Sequence, residues 1–111
     1  MPTVYVVSET LQHNIAGALD FGNIEPILPP NAQVSFSVDP TIRRAKRKLE
    51  KFTDEDYILL IGDPCAIGIC CSVAAAVNGG KFKVLKWDKR ERRYMPLQVD
   101  LFKKGDSYEF D

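Results

Sequence analysis

Tyr57-Ile58-Leu59-Leu60-Ile61-Gly62-Asp63-Pro64 is the stretch that decides the fold. Its first five side chains are continuously apolar. A strand with one face in water alternates apolar and polar residues, so this one is covered on both faces, as strands are at the centre of a parallel sheet. Gly62 then breaks the run. Asp63 offers a side-chain acceptor to the free N–H groups of a helix start, and Pro64 suits the first helical position, where no N–H is needed. A buried strand therefore runs straight into a helix, predicted over residues 65–77 and stopped by Asn78-Gly79-Gly80.

The same signals recur on the N-terminal side. Asp39-Pro40 again predicts a cap with proline behind it, and Ile42, Ala45, Leu49 and Phe52 follow at helical spacing. Most remaining positions of that helix are basic, so its apolar seam faces the core and its cations face solvent or a partner. Asp54-Glu55-Asp56 reads as a solvated acidic turn between helix and strand. Residues 3–7 (TVYVV) form an opening strand. Residues 11–22 fit a short helix or an ordered loop, weakened as a helix by Gly17 and Gly22. Residues 24–28 are a second strand ended by Pro29-Pro30-Asn31. The alternation of Val34, Phe36 and Val38 with serines predicts a half-buried strand, giving an antiparallel edge element.

On the C-terminal side, residues 82–87 and 95–101 are predicted strands joined as a hairpin by Asp88-Lys89-Arg90-Glu91-Arg92. Met95, Leu97, Val99 and Leu101 alternate with polar residues, predicting one face in and one face out. Pro96 puts this strand at the sheet edge. The fold expected is α/β: a small mixed sheet with a central parallel strand pair, two main helices and a C-terminal antiparallel hairpin. Residues 1–101 are expected to make one domain, and residues 102–111 a polar, mobile tail.

With 45% apolar and 27% charged residues in 111, the composition fits a globular domain and excludes a disordered or fibrous class. The N-terminus does not read as a signal peptide. The longest apolar stretch, broken at residues 62–64, leaves only about 15 apolar or small residues, too few for a bilayer. Cys65, Cys70 and Cys71, an odd number in one segment, do not make a disulfide framework, so a reducing cytoplasm is the expected location.

Net charge is zero, yet thirteen of the fifteen basic residues occupy two short segments, residues 43–51 and 81–93. The first is a helix face and the second a hairpin bearing Trp87 and Tyr94. Cations interleaved with aromatic rings suit phosphates and stacked bases. Candidate residues for binding nucleic acid or a protein partner are Arg43, Arg44, Arg47, Lys51, Lys89, Arg90, Arg92, Arg93 and Trp87. The competing reading is a solvated surface that only keeps the protein dispersed.

Gly62 and Asp63 form a second candidate, a nucleotide or small-anion crevice at a helix start. Against it, no lysine follows, and Asp63 puts a carboxylate where a phosphate would sit. The cysteine spacing lacks a second ligand pair, and His13, the single histidine, is distant in sequence, so no metal is expected. No haem or tightly bound nucleotide is expected either. Ser8, Ser72 and the cysteines form no local catalytic signature with His13, and no catalytic residue is assigned. The uncharged helix over residues 65–77 predicts a homodimer through that helix or the neighbouring sheet edge.

Residues 52–101, with Leu28-Pro29-Pro30, resemble small proteins of tailed bacteriophages that have no assigned activity. The likeness is carried by the acidic turn, Ile61-Gly62-Asp63-Pro64, the small-residue helix, Asn78-Gly79-Gly80 and Leu85-Lys86-Trp87-Asp88. The resemblance implies a source, hence a host cytoplasm, and no mechanism. It favours a small non-catalytic binding protein acting in host takeover, inhibition of a defence system, or binding of phage DNA.

Overall fold

The computed structural model describes residues 1–103. Five strands, β1 (Thr3–Val6), β2 (Asn23–Pro26), β3 (Tyr57–Leu59), β4 (Lys81–Asp88) and β5 (Arg93–Asp100), make one sheet in the order β2-β1-β3-β4-β5. The first four in that order run parallel and β5 is antiparallel to β4. This is the expected mixed α/β sheet with its C-terminal hairpin. Two helices, α1 (Asp39–Lys48) and α2 (Pro64–Val77), complete the crossovers, and a 3-10 helix (Ala16–Asp20) links β1 to β2. Among the described residues, no helix is long and apolar enough to cross a membrane.

β3 lies at the middle of the sheet, with Ile58 opposite Tyr5 on one side and Val84 on the other. Ile58 and Leu59 are both fully buried, and they belong to different layers. Ile58 packs with Ala45, Leu49 and Phe52 from the α1 segment and Ala66, Cys70, Val73 and Ala74 of α2. Leu59 packs on the opposite face with Val4, Val6, Leu85, Tyr94 and Ala18 of the 3-10 helix. The unbroken apolar run at residues 57–61 is thus explained by cover on both faces.

Four sequence expectations change. Residues 34–38 form no strand: Phe36 is fully exposed, and Val38 is the residue before α1. The chain here crosses the C-terminal end of β1 instead of running beside β2. Ser8 holds it there, donating from Oγ to the Pro29 carbonyl (2.7 Å) and accepting from the Ala32 N–H (3.0 Å). The outer strand on this side is therefore β2, parallel to β1, and not an antiparallel element.

The start of α1 also differs. Asp39 is the first residue of the helix, and no side chain caps the preceding Val38. Asp39 still adds a negative charge to the first turn, favourable against the helix dipole. Next, the acidic turn is not wholly solvated. Asp56 is only 7% exposed, and its carboxylate accepts from the N–H of Thr3 and from both the N–H and hydroxyl of Thr53.

Finally, β5 is less covered than the alternation predicts: Met95 and Val99 are only half-buried, and the one buried side chain of the strand, Tyr94, lies on the other face. Tyr94 is buried while Leu97 is half exposed, because α2 does not extend over the edge strand. Pro96 does lie on the edge strand. The Leu60 N–H donates to the Leu85 carbonyl at 3.2 Å, so the backbone of Leu85 faces β3, and its partner Pro96 faces outward. The proline therefore costs no ladder bond. The expected tail at 102–111 lies outside the described residues except for Phe102 and Lys103, of which Phe102 packs against Gly80.

Candidate nucleic-acid interface

The β4–β5 turn is built by Asp88. Its Oδ1 accepts from the N–H groups of Arg90 (2.9 Å) and Glu91 (3.1 Å), and its carbonyl accepts from the Arg92 N–H at 2.8 Å. Arg92 closes the turn in the left-handed region, at φ 54°. A non-glycine residue there is uncommon, and the Asp88 bonds are what hold it. The turn projects Lys89, Arg90, Arg92 and Arg93, all exposed.

Directly behind the turn, Trp87 and Tyr94 are cross-strand partners, their rings edge to face with centroids 5.0 Å apart. Tyr94 is buried, and its hydroxyl donates to the Asn14 carbonyl at 3.1 Å. Burial raises its pKa above the ordinary phenol value. Trp87 rests on this fixed ring and keeps 42% of its surface exposed. Three hollows meet at its indole. One, about 410 Å³, is walled by Arg92, Arg93, Asn14 and Phe21, with Asp20 as an opposing charge. Another, about 180 Å³, is lined by Gln12, His13 and Asn14. The third, about 550 Å³, carries Lys86, Lys89 and Arg90. The topology thus delivers His13 and Asn14 to Trp87 from more than seventy positions away, a placement no local spacing could show.

The α1 cations lie elsewhere. Arg44 donates from Nε to the Ile27 carbonyl at 2.7 Å, and Lys48 pairs with Glu25 at 3.5 Å, tying this helix to the end of β2. Arg43, Arg47 and Lys51 remain exposed. The α1 segment packs on one face of the sheet, through Ala45, Leu49 and Phe52, whereas Tyr94 and its partner Trp87 lie on the other. They form two patches, not one.

At the second candidate, Asp63 caps α2, its Oδ2 accepting from the Ala66 N–H at 3.1 Å. Gly62 sits at φ 134°, and a β-carbon there would stand 3.1 Å from Ser8 Cβ. Ser8, which abuts Gly62, anchors the Pro29–Ala32 loop beside it, and neither Gly62 nor Asp63 lines the cavities described above. Gly62→Ala is expected to destabilise the protein by about 1–3 kcal/mol, through backbone strain and the Ser8 contact, as read by urea denaturation. An unchanged midpoint would show that the Gly62–Ser8 approach has room to relax.

Ser8 Oγ and Ser72 Oγ both donate to backbone carbonyls, of Pro29 and Gly68. Cys70 is fully buried and Cys71 partly so, and burial pushes their thiols up to about 12 and about 11, so both stay protonated at neutral pH. Cys65 is exposed.

A family model described as phage Pam3 gp32-like protein matches residues 2–101. No curated protein and no solved structure matches the chain. The match takes in every strand and both helices, reaching well beyond the C-terminal half that carried the resemblance to phage proteins. The chain belongs to the phage Pam3 gp32-like protein family.

Proposed function

We propose that this phage-type protein is a non-catalytic binding protein that engages single-stranded nucleic acid at the β4–β5 tip, with Trp87 as the stacking surface. One observation carries the reading: a half-exposed indole, braced from behind by the buried Tyr94, lies between Arg92–Arg93 on one side and Lys89–Arg90 on the other. A flat ring held rigid offers a base its face, and the flanking cations neutralise the adjoining phosphates. Single strands suit the site better than a duplex, whose bases are stacked on one another. His13 and Asn14 add hydrogen-bonding groups at the same ring edge.

The tryptophan is the only one in the chain, so its fluorescence reads the site directly. Titration with a short single-stranded oligonucleotide is expected to quench it, with affinity falling steeply as salt rises. Trp87→Ala, followed by mobility shift, is expected to weaken binding by about 5- to 150-fold, the equivalent of about 1–3 kcal/mol for one stacked base. Arg92→Ala with Arg93→Ala should flatten the salt dependence. Arg43→Ala with Arg47→Ala and Lys51→Ala should leave the quenching intact, since those cations lie on the other patch. Absence of both quenching and a shift at low salt would sink the reading. Recovery of a host nucleic-acid-handling protein from lysate after nuclease treatment, lost in the Trp87 variant, would reassign the same surface to a protein partner.

A further inference from the structure

Asn14 precedes the 3-10 helix and Asp20 ends it, and the fold brings both to the wall of the hollow of about 410 Å³ beside Trp87. Gly17, between them in sequence, has no side chain to fill that space. The volume suits one small flat group, since pockets for small molecules begin at about 300 Å³.

The polar groups of the wall are fixed in what they can offer. Asn14 is held twice: its carbonyl accepts from the buried Tyr94 hydroxyl at 3.1 Å, and its Oδ1 accepts from the Ala16 N–H at 2.9 Å. The other end of its side chain, Nδ2, is left as a donor. Asp20 is exposed and, among the described residues, makes no ion pair, although Arg92 and Arg93 line the same hollow. A carboxylate can only accept hydrogen bonds. It also repels phosphates, so on a surface that holds a strand through Arg92 and Arg93 it weakens binding unless the strand brings donors to it.

Among the nucleic-acid bases, guanine answers this arrangement. Its Watson–Crick edge carries two adjacent donors, N1–H and the N2 amine, that match the two oxygens of one carboxylate, and beside them an acceptor, O6, for an amide N–H. Adenine and cytosine pair a single amine with a ring-nitrogen lone pair, which a carboxylate repels. Thymine and uracil set their one N–H between two carbonyls. In a single strand this edge is free to be read.

We propose that the hollow takes one guanine of a single strand, its N1–H and N2 amine donating to Asp20 and its O6 accepting from Asn14 Nδ2, while Arg92 and Arg93 hold the adjoining phosphates. The proposal rests on Trp87 as a stacking surface and adds to it a choice of base.

Thymidine oligomers that carry guanine, inosine, adenine, cytosine or thymine at one central position test it, with affinity read from the concentration that gives half-maximal quenching of Trp87. The guanine oligomer is expected to bind about 5- to 150-fold more tightly than the thymine one, the range for a base read by a bidentate pair. Inosine, which lacks the N2 amine, should lose most of that preference. Asp20→Asn should bring the guanine oligomer down to the level of the thymine one, and a preference kept in this variant would overturn the proposal. Equal affinity for every central base in the unaltered protein would overturn the guanine site and leave stacking on Trp87 standing, whereas no quenching by any oligomer would overturn both. Guanosine monophosphate competing as strongly as the guanine oligomer would overturn it as well, assigning the hollow to a free nucleotide.

Discussion

Leu59→Ala is expected to destabilise the protein by about 3 kcal/mol, and Ile58→Ala by a similar amount. Both side chains are fully buried, one on each face of the central strand, so each truncation leaves a cavity in a different layer. For a domain of this size, each should lower the melting temperature by more than about 10 °C. The pair is more informative than either change alone. If one face of β3 were open to water, one of the two substitutions would fall within about 0.5 kcal/mol of neutral. Thermal or urea unfolding decides it, and one neutral substitution would show that the 3-10 segment does not seal its side of the sheet.

The second large effect is expected at Asp56. Its carboxylate takes three hydrogen bonds, from Thr3 N–H at 2.9 Å, Thr53 N–H at 2.9 Å and Thr53 Oγ1 at 3.1 Å. Thr3 opens β1 and Asp56 immediately precedes β3, so one side chain fastens the starts of two adjacent strands. Asp56→Ala leaves those donors without an acceptor and is expected to cost about 2–4 kcal/mol. Asp56→Asn should recover part of the loss, because its amide oxygen still accepts while its NH2 faces other donors. The urea midpoint should fall in the order wild type, Asn, Ala, at unchanged m-value. Equal midpoints for wild type and Ala would mean that water replaces the carboxylate at no cost.

The elements that could be read from the sequence are those whose causes are local. Asp63-Pro64 is a cap because its acceptor and its N–H partner at Ala66 lie within one turn, and Pro96 marks an edge because it lacks a donor. Val34, Phe36 and Val38 misled because alternation states only that a segment could be half buried. Whether a strand forms there depends on the loop's competing anchor, the buried Ser8 hydroxyl twenty-one residues earlier. Asp56 was hidden for the same reason: its partner Thr3 is fifty-three residues away. In the hairpin, Trp87 and its flanking cations were visible as neighbours in sequence. His13 and Asn14 reach the indole only through the fold, and the separation of the two basic segments follows from the sheet face on which each packs. Arg44 looked equivalent to Arg43 until its bond to the Ile27 carbonyl set it apart.

Each outer strand of the sheet contains a proline, Pro26 in β2 and Pro96 in β5, and the latter directs its backbone away from β4. A strand from another molecule arriving at either border meets a gap in the row of N–H donors it needs. The border residues Glu25, Arg93 and Asp100 add charge beside those gaps. Backbone-to-backbone growth of the sheet from one molecule into the next is thereby disfavoured at both ends. An edge interrupted in this way is a poor template for β-fibre growth at high protein concentration.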